Sequence, residues 1–271
     1  MAPAAAPPQA NARALPRERI VQALRSAAHG AEPALIAFVT AGFPTRAGFR
    51  QQLAAVARGA DVVEIGVPFT DPMADGMTIQ RSSREALRQG VTLRWILSEL
   101  AAMPRPSTPL LLMSYLNPLL SFGLERLAGA AAQAGVCGFI VPDLPLDESA
   151  PLRAALDAQG LALVQMVTPV TPSERLARLC AASQGFVYAV TMTGTTGRNV
   201  SVPDEAVDYL DRVRALATVP VCAGFGIRSR AQVERLRGHV DGVIVGSALV
   251  EVLERGESPQ EWLATLRPGA R

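Results

Sequence analysis

The chain has 271 residues, 26 basic and 24 acidic side chains and two histidines, and its formal net charge at pH 7 is +2. The charges are dispersed, so the composition indicates neither a nucleic-acid nor a membrane-binding surface, and no apolar run approaches the roughly 18 to 20 residues that a membrane-spanning helix needs. All 26 basic residues are arginine, which excludes a Schiff base on a lysine amine, and two histidines cannot build a zinc site with several imidazole ligands.

The two ends of the chain differ in composition from its body. Residues 1–16 are rich in Ala and Pro and lack a continuous apolar core, so we expect a disordered tail rather than a signal peptide. Residues 17–267 predict a single domain, and residues 268–271 a second short tail. The three cysteines are odd in number and lie in apolar surroundings, which favours a reduced, cytoplasmic compartment.

The body of the chain alternates between helical and strand patterns. An amphipathic segment at residues 18–28 predicts a helix ahead of the first strand. Eight short, near-continuously apolar runs follow, as expected of strands covered on both faces of a parallel sheet, and segments with helical spacing separate them. The runs are residues 34–40, 61–67, 109–115, 137–143, 161–167, 185–191, 219–225 and 242–248.

Eight strand–helix units predict an α/β fold of the (β/α)8 type, a TIM barrel, with the extra N-terminal helix covering its bottom. A doubly wound sheet is disfavoured because no G-x-G-x-x-G turn follows the first strand. Two helix starts are marked in the sequence. Residues 171–174 predict a capping box with Pro172 at the first helical position, and Ser229 with Gln232 predicts a second capping box.

Acidic residues cluster around the second predicted strand. Glu64 lies near the carboxyl end of that strand, where the active site of a barrel is found. It either points into the barrel mouth as a general acid/base with a raised pKa, or points outward and pairs with an arginine of a covering helix. Asp71 and Asp75 follow in the next loop, where Asp beside Pro or Gly is also ordinary turn chemistry.

Glycine-rich turns after strands 6, 7 and 8 predict a phosphate site. They read "TGTTGRN", "AGFGIRS" and "VGSALVEVL", and Gly246-Ser247 opens a short helix in the last of them. Loops after the last strands together with a helix N-terminus form the usual phosphate site of this fold. Arg198 and Arg228 lie in these turns, where they either assist the phosphate or are solvated surface residues.

Long loops and aromatic residues lie around the same predicted rim. Residues 68–80 and 192–202 are long for strand–helix connections, which is typical of lids and binding loops. Tyr188 lies on strand 6, and its hydroxyl needs a partner if it is buried. Phe38 and Phe225 either line a pocket for a flat substrate or pack in the core.

Several segments taken together resemble the tryptophan synthase alpha chain family, from about Ile36 to about Val252. The resemblance implies a (β/α)8 barrel that cleaves indole-3-glycerol phosphate by a retro-aldol reaction to indole and glyceraldehyde 3-phosphate, with no cofactor. It also implies a pyridoxal-phosphate beta chain as the partner that receives indole. The matching segments are "EIGVPFTDPMADGMTIQ", "MSYLNPLLSFG", "FIVPDLPLDES", "TPSERL", "GFVYAVTMTGTTG", "CAGFGIRS" and "VIVGSALV".

The resemblance also implies roles for individual residues. Glu64 would carry protons between the glycerol hydroxyl and the indole ring, Asp75 would stabilise positive charge at the indole N–H, and Tyr188 would be the strand-6 tyrosine of the active site. The remaining implied positions line the substrate. They are Thr196 in the lid, Gly197, Gly226, Gly246 and Ser247 at the phosphate, and Phe38, Tyr115, Ile140 and Phe225 around the indole.

Three departures from the family pattern leave alternatives open. Phe43 stands where the family has Asp, Met77 where it has Pro, and Thr195 where it has Val, all on the face where the beta chain would dock. A stand-alone lyase that releases free indole is therefore a second hypothesis. A phosphosugar isomerase is disfavoured by the lack of lysine and the scarcity of histidine, and a non-catalytic barrel that only activates a partner is disfavoured by the two acids.

Overall fold

The computed structural model describes residues 14–28, 32–191, 202–224 and 226–267. Eight strands form a closed barrel in sequence order, and every neighbouring pair is parallel. The last strand closes on the first, with Ala34 level with Gly242. The predicted (β/α)8 barrel is confirmed.

Each strand overlaps the apolar run that predicted it. Both faces of the strands are covered, so almost every strand residue is buried, as the continuous apolar runs require. The strands are β1 Ala34–Thr40, β2 Val62–Gly66, β3 Leu110–Met113, β4 Val136–Ile140, β5 Ala162–Val167, β6 Val187–Val190, β7 Val221–Gly224 and β8 Gly242–Val245.

The helices pack around the barrel, and none of those described is both long and apolar enough to cross a bilayer. A 3-10 turn at Leu146–Glu148 precedes the seventh of them. They are α1 Pro16–Ala28, α2 Phe49–Gly59, α3 Met77–Arg88, α4 Leu93–Ala102, α5 Leu116–Phe122, α6 Leu124–Gln133, α7 Ala150–Asp157, α8 Ser173–Ala182, α9 Asp204–Leu216, α10 Arg230–Leu236, α11 Ser247–Glu254 and α12 Pro259–Leu266.

Helix α1 closes the bottom of the barrel, as its amphipathic pattern predicted. Its Ile20 and Leu24 are fully buried and belong to the cluster that fills the barrel interior. That cluster includes Ala34, the first residue of β1, and Phe186, which comes directly before β6. Burying an Ile or Leu side chain contributes about 1.5–3 kcal/mol, so α1 both stabilises the fold and excludes water from one end. The other end, at the carboxyl ends of the strands, is left for the site.

The two predicted helix starts have different outcomes. The capping box at Ser229–Gln232 is present at the start of α10. The one predicted at residues 171–174 is wrong, because α8 begins at Ser173 and has no side-chain cap. The Thr171 hydroxyl instead accepts a hydrogen bond from the backbone N–H of Thr168 at 3.0 Å. It closes a turn that precedes the helix.

Candidate active site

The side chain of Glu64 points into the barrel. Along β2, Val62 belongs to the interior cluster, whereas Val63 and Ile65 belong to the cluster between sheet and helices. Because side chains alternate along a strand, Glu64 shares the inward face with Val62. It lies level with Phe38 of β1 in the strand register. Pairing with an arginine of a covering helix, the other hypothesis from the sequence, is therefore wrong.

Glu64 carries a fully buried carboxyl group. Its exposed fraction is 0%, and neither oxygen has a hydrogen-bond partner among the described residues. Burial raises the pKa of Glu64 to about 8, because a carboxylate loses its hydration in an apolar interior. At neutral pH the group is therefore mostly protonated, and it can both give and take a proton under ordinary conditions.

Asp75 lies in the loop between β2 and α3, directly before the N-cap residue Gly76. Burial raises the pKa of Asp75 to about 6, and a hydrogen bond from the Tyr115 hydroxyl opposes that rise. The carboxylate is therefore largely ionised at neutral pH, while Glu64 is largely protonated. One fold thus holds two carboxyl groups in opposite charge states, a pattern that typically separates acid and base roles.

Tyr115 fixes the loop that carries Asp75. The backbone N–H of Ala74 donates to the Tyr115 hydroxyl at 2.9 Å, and the Tyr115 ring stacks on Phe69 with 5.1 Å between centroids. On the other side, the Gln80 amide donates to the backbone carbonyl of Asp75 at 2.9 Å. The loop is therefore bound to the turn between β3 and α5 and to α3, on either side of the carboxylate.

Asp71, the other acid of this loop, has a turn role. It is exposed, it accepts a hydrogen bond from the Thr70 hydroxyl at 2.5 Å, and its carbonyl accepts from the backbone N–H of Met73 at 2.9 Å. These local bonds are typical of Asp in turns. Of the two loop acids, only Asp75 lines the cavity at the barrel mouth.

Tyr188 lies on the inner face of β6, beside both acids. Burial raises the pKa of its phenol well above the usual value, and the charges of Glu64 and Asp75 raise it further. Its ring lies against Gly224 of β7, where an added Cβ would be 2.5 Å from Cε1 of the tyrosine. The glycine therefore provides the space that the ring occupies. Across the described ranges, no group of three metal-binding side chains occurs.

A narrow cavity opens between the aromatic residues of this end. Phe38 packs against Phe43 and Val250 and forms one wall, and Gly66 leaves room for its ring, since a Cβ there would be 2.5 Å from Cζ of Phe38. Ile140 is fully buried in the interior cluster and is absent from the lining. The lining residues are Phe38, Gly66, Val67, Asp75, Ile79, Ser83, Met113, Ser114, Tyr115 and Pro142.

The turns after β7 and β8 have the geometry of an anion site. Gly226 adopts a φ of 62°, which favours glycine and turns its neighbouring amides. Gly246 is the N-cap of α11, and Ser247 is its first residue. The first amides of a helix have no partner within it, so they can bind an anion. Thr196, Gly197, Arg198 and Phe225, which the sequence placed at this rim, lie outside the described residues.

Arg228 has a specific partner. Its guanidinium donates two hydrogen bonds to the carboxylate of Glu251 on α11, Nη1 to Oε2 at 2.8 Å and Nη2 to Oε1 at 3.0 Å. It is therefore neither a solvated surface residue nor free to bind a phosphate without leaving Glu251. The pairing was not predicted, because the two residues are 23 positions apart.

The positions that depart from the family pattern have different surroundings. Phe43 is 5% exposed and packs against Phe38 in the cavity wall. Met77, at the start of α3, is 81% exposed. Thr195 lies outside the described residues. One departure thus contributes to the site, and another lies on the outer surface of the same rim.

Comparisons with known proteins agree on one family for this chain. The family model described as "Tryptophan synthase alpha chain" matches residues 24–267. A relative of that name from Nitratidesulfovibrio vulgaris (strain DP4) is 48% identical over 240 residues, which cover 88% of this chain and 93% of the relative. A structure of Mycobacterium tuberculosis tryptophan synthase aligns with a TM-score of 0.84 and 36% identity, covering 93% of this chain and 99% of that chain. A mutant tryptophan synthase alpha-subunit from Pyrococcus furiosus aligns with a TM-score of 0.78 and 36% identity, covering 87% and 98%.

Proposed function

The chain belongs to the tryptophan synthase alpha chain family and is a lyase that cleaves indole-3-glycerol phosphate, and we propose that Glu64 and Asp75 are the two acids that perform this reaction in it. The observation that carries the proposal is the buried carboxyl group of Glu64, which has no hydrogen-bond partner in the part of the chain that the structure describes. A group that costs several kcal/mol to bury in this way is typical of a functional site. Asp75 is ionised at neutral pH and, like Glu64, lies near Tyr188, so the site holds one charged and one neutral carboxyl group.

The first step is protonation of the indole ring. Glu64, protonated at neutral pH because burial raises its pKa to about 8, gives its proton to the ring carbon that bears the glycerol chain. The ring nitrogen then carries positive charge. The carboxylate of Asp75 accepts a hydrogen bond from that N–H and stabilises the cation by charge.

The second step is cleavage of the bond between the ring and the glycerol chain. The Glu64 carboxylate takes the proton of the hydroxyl on the attached carbon, and that carbon becomes the aldehyde of glyceraldehyde 3-phosphate. The electrons of the broken bond flow into the ring and neutralise its nitrogen, which releases indole. Glu64 ends with the proton it began with, and a well-placed acid/base group of this kind contributes about 10²- to 10⁴-fold.

The substrate is held at both ends. Gly226, Gly246 and Ser247 would hold the phosphate with backbone amides and the N-terminus of α11, and Gly197 would complete that site. Thr196 would meet Asp75 from the loop after β6. The indole would lie against Phe38 and Tyr115, with Ile79 and Met113 as further apolar contacts that the cavity supports. Phe225 and Tyr188 would complete the aromatic lining, and Ile140 would support it from the layer below.

A tryptophan synthase beta chain is the proposed partner. Large apolar side chains that are exposed in the described part of the chain concentrate on the loops and helices that follow the carboxyl ends of the strands, where indole would leave. Met73 is 84% exposed, Met77 81%, Leu120 51% and Val170 76%. A contiguous exposed apolar patch is typical of an interaction site, and all four of these side chains belong to the same end of the barrel.

We infer that residues 17–267 form one catalytic domain that works in the cytoplasm. Three buried free thiols support that compartment. The reaction needs no cofactor, since the protonated ring is itself the electron acceptor.

The substitution Glu64→Gln tests the proposal. We expect it to lower kcat for indole release from indole-3-glycerol phosphate by about 10²-fold or more, because the amide cannot carry the proton. Asp71→Asn is the matched control and keeps kcat within about twofold of the wild type, since Asp71 is an exposed turn residue. Nearly full activity of Glu64→Gln would show that the proton carrier is another group. Each assay is run with and without added beta chain, which separates an alpha subunit from a stand-alone lyase.

A further inference from the structure

Arg228 connects the loop after β7 to helix α11. It lies two residues after Gly226, and it holds Glu251 by two hydrogen bonds of 2.8 and 3.0 Å. The two side chains are 30% and 29% exposed, so water screens their attraction only in part. Glu251 is four residues after Ser247 along α11. The pair therefore joins the two described parts of the proposed phosphate site.

Thr78 extends this connection to the loop that carries Asp75. Thr78 is the second residue of α3, three positions after Asp75, and its hydroxyl donates to Oε1 of Glu251 at 3.3 Å. The same Oε1 accepts from Nη2 of Arg228. One carboxylate thus bonds to the phosphate side of the site through Arg228 and to the Asp75 side through Thr78.

Helices α3 and α11 are also packed together on either side of this network. Ile79 and Val250 belong to the apolar cluster of the cavity wall together with Phe38. At the outer edge, Arg81 pairs with Glu254 at 2.5 Å, but these side chains are 53% and 40% exposed. The apolar contact sets the distance between the two helices. The hydrogen bonds of Arg228, Glu251 and Thr78 can then fix how far one helix is shifted along the other.

We propose that Arg228, Glu251 and Thr78 are positioning residues that fix the phosphate site and Asp75 relative to each other, so that a substrate held by its phosphate presents its indole N–H to Asp75. The inference rests on the proposed function. The guanidinium of Arg228 is paired with Glu251, so it acts through geometry rather than as a free charge. Displacing a reacting group by about 1 Å can lower a rate by about 10²-fold.

Double-mutant kinetics test the link between the two sides. Arg228→Gln and Glu251→Gln are each expected to lower kcat/KM for indole-3-glycerol phosphate about tenfold, and the double variant to lose no more than the worse single variant, because both remove one shared contact. Arg228→Lys, which keeps the charge but loses the paired geometry, falls between Arg228→Gln and the wild type. Arg81→Gln, on the exposed pair of the same two helices, stays within about twofold of the wild type.

A ligand that binds only the phosphate side distinguishes the role of Arg228 from that of Thr78. Glycerol 3-phosphate is the probe for the phosphate side. We expect Arg228→Gln to weaken its binding several-fold, whereas Thr78→Val leaves its binding unchanged and lowers kcat, because Thr78 lies on the Asp75 side. A merely structural role would lower the thermal midpoint but leave kcat and KM unchanged well below that temperature.

Two results overturn the inference. One is wild-type kcat/KM in Arg228→Gln, and the other is a double variant whose loss equals the product of the single losses. Glu64→Gln and Asp75→Asn are measured in the same assay. If those two are inactive while the network variants are fully active, only the coupling is wrong. If either acid variant keeps wild-type activity, the proposed function fails and the coupling with it.

Discussion

Glu64 is the residue at which stability and chemistry conflict. It occupies a position in β2 whose inward neighbours are apolar, and it has no hydrogen-bond partner among the described residues. Replacing it with an apolar residue of similar size would satisfy every rule for a buried strand. Sites that break such a rule are where function is expected. The raised pKa is the physical consequence of the same burial.

The stability of the protein should depend on pH through this residue. The pKa of Glu64 is about 8 in the folded state against 4.5 as its ordinary value, so the folded state binds the extra proton between these pH values. Stability contributed by the neutral acid is therefore present below pH 4.5 and is lost as the pH rises toward 8. Urea unfolding of the wild type and of Glu64→Gln measures this pH dependence. We expect the free energy of unfolding of the variant to increase relative to that of the wild type by a few kcal/mol between pH 5 and pH 8. A difference that does not depend on pH would contradict the raised pKa of Glu64.

At the scale of the elements, the strands were predictable and their mutual contacts were not. Continuous apolar runs identified all eight strands because a parallel sheet covered on both faces tolerates little else. The predicted start of α8 was wrong, because Thr171 closes a turn instead of capping the helix. The bond between Ala74 and Tyr115 spans 41 positions, and no local pattern encodes it. The inward direction of the Glu64 side chain likewise could not be predicted without knowing which face of β2 lines the barrel interior.

The glycines at the ends of β2 and β7 belong to the same class of missed features. From the sequence alone, Gly66 and Gly224 are only glycines that weaken the strands in which they lie. Their role depends on the rings of Phe38 and Tyr188, which lie across them on neighbouring strands. A glycine that makes space for an aromatic residue is identified only once strand pairing is known.

Gly224→Ala tests this element directly. A Cβ there would be 2.5 Å from Cε1 and 2.8 Å from the hydroxyl oxygen of Tyr188, so the ring must leave its present position beside the two acids. We expect kcat/KM for indole-3-glycerol phosphate to fall by about tenfold or more. Gly129→Ala is the matched control, because among the described residues no atom beyond its chain neighbours and the backbone of its own helix lies within 4 Å of its added Cβ, and its kinetics should equal those of the wild type. Equal kinetics for Gly224→Ala would show that the position of the Tyr188 ring does not matter.

At the scale of the whole molecule, the residues that close the barrel and those of the proposed site lie at opposite ends. Helix α1 closes the bottom, and the described site residues lie at the opposite end, which also carries most of the exposed apolar side chains. Of six large ones in the described part of the chain, Met73, Met77, Leu120 and Val170 follow the carboxyl ends of strands, and only Leu15 and Leu216 lie elsewhere. This distribution is the molecular basis for placing the partner at that end.

Leu120→Glu tests the partner surface. Leu120 lies on α5, is 51% exposed and lines no part of the cavity. We expect its replacement by a charged residue to weaken binding of the tryptophan synthase beta chain about tenfold or more, with indole release by the isolated chain unchanged. Leu216→Glu, at the bottom end of α9, is the control and should bind the beta chain normally. Calorimetric titration measures both, and equal affinity for the two variants would move the interface elsewhere.

The pH profile of kcat/KM for indole release tests the central claim most directly, because it reports the ionisation of the free enzyme. The proposed mechanism requires the two acids in opposite charge states, Asp75 ionised and Glu64 protonated. With pKa values of about 6 and about 8, kcat/KM should rise as the pH passes 6, reach a maximum near 7 and fall above 8. In Asp75→Asn the rise near pH 6 should disappear from whatever activity is left. A wild-type profile that is flat from pH 5 to pH 9 would contradict the account.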